Sequence, residues 1–358
     1  PCITPAHVAA AVATIRDLID EFPFESEANR SAWIATMLAL LARPAIRGPV
    51  PMLIVDANDR GSGKTLLCDT IGMILSGQKL PRRGVPDSEE EWGKAMLGIG
   101  IGAHPAVLLD NVTGTLRSST LDMVLTGETY QGRVLGLNKE MRVPVRTVFI
   151  VSSNNATVST DLIRRSLHAR IVADVERPEQ RTGFKYRLPD QAGEPTMRKR
   201  LLEAFFTVLL GYEQAGRPNV TRRPIGSYES WSERVQAPMV WAGLADPVTT
   251  QDELREQADT EGEQLGPLLD AWLAMYGSNP HTCATAVNDL KEDESPQGLA
   301  LRSAIDGLAS SGKRMDAQGL GYRIRKWKNK WLNGKCFSPG PDAHGSIKWF
   351  VRVKRDPV

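Results

Sequence analysis

A short apolar run, Met52-Leu53-Ile54-Val55, leads into Asp56-Ala57-Asn58-Asp59-Arg60-Gly61-Ser62-Gly63-Lys64-Thr65, and Leu66 to Leu75 then carries helical spacing. No other stretch restricts the fold as tightly. The run is continuous rather than alternating, which marks a parallel strand buried on both faces. Strand, glycine-rich turn, Lys-Thr and helix together are the layout of a phosphate-binding loop. Glycines let backbone amides turn inward, the helix N-terminus adds its dipole, and Lys64 sets a cation at the β and γ phosphates. Thr65 supplies a hydroxyl for Mg²⁺. The expected loop residues are Asn58, Arg60, Gly61, Ser62, Gly63, Lys64, Thr65 and Leu66. Asn58 departs from the Gly-x4-Gly-Lys-Ser/Thr pattern, which has glycine there; asparagine tolerates positive φ better than most residues. The alternative is a chance Gly-Lys-Thr in an ordinary loop, which the flanking strand and helix argue against.

A chain of 358 residues has room for two or three domains, and 41% hydrophobic with 24% charged residues describes a soluble globular protein. No apolar run approaches a membrane span; the best, Met37 to Leu41, is interrupted by Arg43 and Pro44. Cys2, Cys68, Cys283 and Cys336 are scattered, and the five histidines form no ligand cluster. That disfavours a zinc site or a disulfide framework and points to a reducing cytoplasm. The chain starts at Pro1 and so reads as a piece of something longer. Its net charge of +2 does not indicate nucleic acid, but the distribution of charge does.

In chain order, residues 6–43 read as two packing helices. Ser88-Glu89-Glu90-Glu91-Trp92 opens a capped helix. Ala106 to Leu109 reads as a strand closed by Asp110-Asn111, the Walker B layout, in which the carboxylate holds the Mg²⁺ shell. Ser119-Thr120 caps a short helix through Leu125. Arg133 to Leu137 and Met141 to Val143 flank Asn138-Lys139-Glu140 as a β-hairpin with Lys139 near its tip. The strand Thr147 to Val151 ends in Ser152-Ser153-Asn154, and Asp161-Leu162-Ile163-Arg164-Arg165 precedes an apolar strand around Ile171-Val172.

In this order the motifs resemble the superfamily 3 helicases of viruses and mobile elements, AAA+ ATPases that work as rings. Asp110-Asn111-Val112, Arg133-Val134-Leu135-Gly136 and Asp161 to Arg165 are similar, more narrowly, to the helicase part of phage and prophage primase-helicases, over roughly residues 20–245. The resemblance implies ATP and Mg²⁺ as cofactors, with Lys64, Asp110, Asn154, Arg164 and Arg165 in catalysis. Asn154 matches the sensor that positions the attacking water. Arg164 and Arg165 match the arginine finger acting on a neighbouring subunit's nucleotide, a role worth roughly 10³–10⁵ in rate where it has been measured. Lys139 and Arg142 match the pore hairpin that grips single-stranded DNA; a solvated hairpin tip is the other reading of those residues. The implied protein is an ATP-dependent DNA helicase or translocase, the motor part of a replication protein. It would form a homo-oligomer, a hexameric ring, on single-stranded or forked DNA in a bacterial host cytoplasm, with a primase domain ahead of Pro1. A nucleotide-gated DNA-binding or assembly protein that does not unwind is the alternative. One departure bears on chemistry: many AAA+ ATPases follow the Walker B aspartate with a glutamate base, and this chain has Asn111. Asp110 itself, Glu90 or Glu91 would then activate water. Arg198 or Arg200 is a candidate second sensor.

The expected fold class is α/β: a P-loop AAA+ core with a parallel sheet, a helical N-terminal segment and lid, and a C-terminal winged-helix-like domain. The expected boundaries are a helical segment at 1–45, the ATPase core at 46–176, a helical lid at 177–248, an acidic linker with helices at 249–295 and a basic domain at 296–358. In that last domain Leu320, Ile324, Trp327 and Trp331 share a helix face, leaving Arg325, Lys326 and Lys328 to meet DNA phosphates or to serve as a solubilising face. Ile347, Trp349, Val351 and Val353 alternate as a strand facing a core.

Overall fold

The computed structural model describes residues 2–57, 61–112, 114–133, 140–154, 157–173, 178–258, 260–290, 293–308, 315–329, 331–343 and 346–354. The chain forms two compact units, Pro1–Ala258 and Asp259–Val358.

The first unit opens with two helices. α1 (Pro5–Ile19) starts where the Thr4 hydroxyl accepts from the His7 amide, and α2 (Glu27–Ala42) where Ser26 accepts from Asn29. β1 (Met52–Ala57) and α3 (Lys64–Ser76) flank the phosphate loop as expected. There follow β2 (Arg82–Arg83), α4 (Glu89–Gly102), β3 (Ala106–Val112), β4 (Thr115–Leu116), α5 (Ser119–Val124), and the hairpin strands β5 (Thr129–Arg133) and β6 (Glu140–Pro144). β7 (Val148–Asn154), β8 (Thr157–Val158), α6 (Thr160–Ile163) and β9 (Ser166–Ile171) complete the strands of this unit. Helices α7 (Asp190–Gly193), α8 (Pro195–Gln214), α9 (Glu229–Trp231), α10 (Ala237–Trp241) and α11 (Thr250–Ala258) close it.

Five parallel strands make one sheet in the order β2-β3-β7-β1-β9. Alternate side chains enter two cores. Leu53, Val55, Leu108, Val148 and Ile150 pack among residues of α2, α3 and α8. Met52, Ile54, Val107, Leu109, Phe149 and Val151 pack among residues of α4, α5 and the hairpin. Burial on both faces is why the strands read as unbroken apolar runs. The result is a P-loop α/β core of the AAA+ kind.

Packing moves several expected boundaries. Thr129–Arg133 is the first described hairpin strand, and beyond Arg133 the expected strand over Arg133 to Leu137 lies outside the described residues; the buried pair Tyr130 and Val143 anchors the hairpin on α4. A Cβ on Gly100 would lie 2.3 Å from a Val143 methyl, and one on Gly93 would lie 3.0 Å from the Tyr130 hydroxyl, so helix and hairpin meet backbone to side chain. Ser118 rather than Ser119 caps α5, accepting from the Leu121 amide. Between α9 and α10 the chain makes a π-turn, Ser232–Gln236, ahead of Pro238, which lacks the N–H that a regular turn requires.

The second unit contains α12 (Thr260–Tyr276), β10 (His281–Thr282), α13 (Cys283–Asp289), α14 (Pro296–Asp306), α15 (Ala317–Lys326), β11 (Lys335–Ala343) and β12 (Ser346–Val353). Its antiparallel sheet is ordered β10-β12-β11. Trp272, Trp327, Phe337 and Trp349 are buried in one core, with the Trp272 ring edge-on to Phe337 at 5.4 Å. Trp331 does not join them. α15 has ended by then, Asn329 taking φ +57°, and Trp331 lies exposed under the Arg352 guanidinium, 5.0 Å from its ring centre. Ile347 and Val353 are also exposed, so only Trp349 and Val351 of the alternating set face the core.

Candidate functional site

Gly61 and Gly63 take φ of +78° and +92°, and Gly63 caps α3 in the left-handed region. Space demands glycine as much as conformation does: a Cβ on Gly63 would lie 3.1 Å from the Phe22 ring, and one on Gly61 would lie 3.0 Å from the Glu179 Cβ. Lys64 and Ser62 are buried, Thr65 is half-buried in the first turn of α3, and Leu66 is exposed. Asn58 and Arg60 lie outside the described residues.

The strand register gathers the other expected groups at the same edge. Ala57, the last residue before the loop, pairs with Asn154, while Asp56 and Val112 both pair with Ser153. Asp110 and Asn154 therefore emerge beside the loop, at the carboxyl ends of parallel strands, where α/β folds bind ligands. The Asn154 Oδ1 atom is buried with no hydrogen-bond partner among the described residues. Asp110 is half-buried and held on both sides: Ser152 Oγ donates to Oδ1 at 2.5 Å, and an Arg82 nitrogen lies 3.5 Å from Oδ2. Arg82 also pairs with Asp69 of α3, a carboxylate that burial pushes up in pKa against the pull of that arginine. Ser152 has a second task. It accepts from the Asn111 amide at 3.0 Å, where β3 bulges against β7 and Asn111 takes φ +56°. The residue after Asp110 is thus an asparagine in a left-handed bulge, a position that disfavours glutamate.

A cavity of about 400 Å³ opens beside the loop. Leu18, Phe22, Leu66, Phe184, Tyr186 and Leu188 supply its apolar walls, Gly61 to Gly63 one edge, and Glu179, Arg181 and Arg187 polar groups at its rim. That combination suits a drug-sized ligand. Beneath the loop, Asp56 is buried, accepting from Ser153 Oγ and from Arg170, each at 3.0 Å. His168, wholly buried, sits between two carboxylates. Its Nδ1 lies 3.3 Å from Glu253 and its Nε2 lies 3.9 Å from Asp56, within ion-pair range but not aligned as hydrogen bonds. Burial would lower its pKa; Asp56 and Glu253 outweigh that and raise it.

Arg164 and Arg165 lie at the other edge. Met52 pairs with Ser166, so the two arginines precede β9 at the strand starts, five residue steps or about 16 Å from the level of Ala57. Their surroundings differ. Arg164 is 60% exposed and among the described residues pairs with Asp161 alone, whereas Arg165 is largely buried, donating to Asp122 at 2.7 Å and to the Asp161 carbonyl. On the hairpin, Arg142 is exposed and donates to Thr129, and Lys139 lies outside the described residues. Glu90 and Glu91 are exposed and paired with Lys94, so the structure does not bring them to Asp110; Glu89 instead accepts five bonds from Ser118, Ser119 and Thr120. Arg198 donates to the Ile74 and Leu75 carbonyls, capping the far end of α3, and is no sensor of the nucleotide; Arg200 is exposed. Arg325 and Lys328 are exposed in the second unit, and Lys326 ends α15.

The parts suit a nucleotide with Mg²⁺. The two glycines form a cradle that a Cβ would fill, Asn154 leaves a buried acceptor open, and the donors near Lys64 are one hydroxyl and one carboxylate. Among the described residues no three His, Cys, Asp or Glu side chains cluster as a metal site. Mg²⁺ typically needs no such cage, being held by one or two carboxylates, water and phosphates. Sequence reading missed Ser152, Arg82, Asp69 and the cavity; an Arg-Arg pair at residues 82–83 and the aromatic Phe22-Pro23-Phe24 were the only local signals.

No protein-family profile matches the chain, and no curated protein matches it. Among solved structures it is similar to the apo C-terminal region of NrS-1, at 13% identity and a TM-score of 0.46, over 98% of this chain and 76% of that one. It is also similar to JCV helicase, at 16% identity and a TM-score of 0.30, over 71% and 73%. Both are likenesses in the course of the chain. Among the described residues no helix is long and apolar enough to cross a membrane.

Proposed function

We propose that the chain is an ATP-hydrolysing motor that acts on DNA as a ring of identical subunits, a helicase or translocase. One observation carries this reading: the nucleotide half-site and the exposed arginine lie at opposite edges of one rigid sheet. Lys64, Thr65, Asp110 and Asn154 gather at the strand ends, and Arg164 projects from the strand starts. A chain so built cannot bring its own Arg164 to its own phosphates. A second copy, presenting its strand-start edge, would complete the site.

In this reading Lys64 and the loop amides hold the β and γ phosphates, and the cavity bounded by Phe22, Phe184 and Leu188 takes the base. Thr65 and Asp110 would hold Mg²⁺, which supplies charge neutralisation at the phosphate oxygens. Asn154 Oδ1 accepts a hydrogen from the attacking water and orients it. Asp110, kept in place by Ser152 and Arg82, is the carboxylate nearest that chemistry. Arg164 of a neighbour neutralises the transferring group. The β5–β6 hairpin, with Lys139 and Arg142, grips the DNA strand, and Arg325, Lys326 and Lys328 add phosphate contacts.

The test is hydrolysis of ATP by the purified chain with and without single-stranded DNA, alongside separation of a forked duplex. Lys64→Ala and Arg164→Ala proteins, each inactive alone, should recover partial hydrolysis when mixed, because each supplies what the other lacks. If wild type gains no hydrolysis from DNA and never separates the fork, the motor reading fails. A nucleotide-gated assembly protein is the second reading, favoured by Asn111. It predicts DNA binding that requires ATP but persists when hydrolysis is blocked.

A further inference from the structure

A second cavity, about 450 Å³, lies at the strand-start edge of the first unit, away from the phosphate loop. Residues 43–48, which lead into β1, line one side; Pro144, Val145 and Arg146, which lead into β7, line another; Glu128 and Thr129, at the start of the hairpin, close it. Three arginines share this space. Arg43 donates to the carbonyls of Arg146 at 3.0 Å, Ile46 at 3.1 Å and Val145 at 3.3 Å, and Arg146 donates back to the Arg43 carbonyl at 3.1 Å. These reciprocal bonds clip two backbone segments together and, in doing so, force two guanidinium groups side by side. Burial and the neighbouring Arg146 hold the Arg43 pKa down to about 10. Among the described residues none of Arg43, Arg47 and Arg146 has a carboxylate within ion-pair distance, whereas Arg82, Arg165 and Arg170 each do. Glu128 is the one acid in the lining, leaving three positive charges against one negative.

Like charges gathered in a half-buried cleft and outnumbering the acid among them focus potential and attract an anion. Guanidinium forks match phosphate oxygens in shape as well as charge. We propose that Arg43, Arg47 and Arg146 form a phosphate-binding site at the base of the hairpin, occupied by the backbone of a nucleic-acid strand. Position favours that source: the cavity is walled by the first residue of β5 and the last of β6, so a strand gripped by the hairpin passes its mouth. Arg43 is largely spent on backbone carbonyls and acts as the fixed floor. Arg47 and Arg146 are both exposed; Arg146 keeps one nitrogen on the Arg43 carbonyl and offers its other donors, with those of Arg47, to a phosphate.

The choice of a strand as occupant rests on the proposed grip of the hairpin on DNA, but the site requires no hydrolysis, so it is tested without nucleotide and fails separately from the motor reading. Binding of a fluorescent single-stranded oligonucleotide to the full chain is followed as salt is raised, for wild type and for the double variant Arg47→Gln, Arg146→Gln. Single-strand binding weakens with salt by about 0.7 logarithmic units per phosphate contact, so losing two contacts should flatten the slope by about 1.4 and lower affinity roughly tenfold or more. Arg47→Lys, Arg146→Lys should keep most of the slope, which a merely structural role would not require. A second arm measures thermal protection by inorganic pyrophosphate on a Lys64→Ala background. Should the glutamines abolish that protection yet leave the oligonucleotide slope intact, the phosphate site holds and its source is a nucleotide rather than a strand. An unchanged slope together with unchanged protection overturns the proposal.

Discussion

Replacing Asn111 with glutamate restores the residue that many AAA+ ATPases carry after the Walker B aspartate, and the structure says that it will not help. Asn111 occupies a bulge at φ +56°, its amide donating to Ser152 Oγ at 3.0 Å, with the side chain exposed. Holding a residue without asparagine's or glycine's tolerance in that region costs about 1–2 kcal/mol. If the bulge flattens instead, the Ser152 bond is lost, worth about 1 kcal/mol, and Asp110 loses its alignment. The first unit, residues 1–258, should therefore melt lower by about 2–4 °C for each kcal/mol lost, read as its own calorimetric transition. Asn111→Gly, which suits positive φ, should stay within about 0.5 kcal/mol of wild type. Hydrolysis, measured by phosphate release with ATP and DNA, should not rise in Asn111→Glu. A tenfold gain, about 1.4 kcal/mol off the barrier, with an unchanged melting temperature would refute the bulge argument and restore position 111 as the seat of the base.

The arginine pair should divide its effects: Arg164→Ala leaves stability within about 0.5 kcal/mol, as expected of an exposed pair, and removes most hydrolysis. Arg165→Ala strands Asp122 and costs about 1–3 kcal/mol in urea unfolding; equal destabilisation by both would contradict this division. His168, facing Asp56 on β1 and Glu253 on α11 with Arg170 on its own strand, has a pKa raised above 6.5 in the folded chain. Its contribution is complete below 6.5 and fades as pH rises through the folded value. A His168→Gln protein should show a flatter fall in urea midpoint on the alkaline side of neutrality, and an identical slope would count against the network. For Glu89, burial acts upward, but bonds from Thr120, Ser119 and Ser118 outweigh it and hold the carboxyl at about 2 against its usual 4.5. Its contribution is present above 4.5 and lost as pH falls toward 2, so Glu89→Ala should cost about 1 kcal/mol near neutrality and make acid unfolding less steep. Unfolding curves that superimpose at every pH would exclude the capping role.

Local pattern was enough for the phosphate loop, the strand ending in Asp110, the strand ending in Asn154 and the paired helices before Pro44, because each is written in contiguous residues. What escaped depended on distant partners. That the hairpin begins at Thr129 depends on contact with α4, through Tyr130 and Val143, which local alternation does not signal. Asn111 read as a missing base, since nothing in the sequence signals that Ser152, forty-one positions on, pins a bulge there. Glu90 and Glu91 were plausible bases until Lys94 claimed them. Arg198 had the right chemistry for a sensor and the wrong end of α3. Trp331 obeyed the helical spacing of Leu320, Ile324 and Trp327, but the helix stops before it.

The seating of the hairpin on α4 has a mechanical corollary. Gly93 and Gly100 leave no slack between helix and hairpin, the first residue of α4, Glu89, is bolted to the start of α5, and Asp122 of α5 clamps Arg165 next to Arg164. Each joint is a close contact between stiff parts. If the chain is the ring motor proposed above, a DNA strand that pulls on the hairpin would load the same train of levers that aims Arg164 at a neighbouring subunit. Gearing of that kind would let the load on the DNA decide when the next subunit fires, and slackening the Glu89 joint should let the two run out of step.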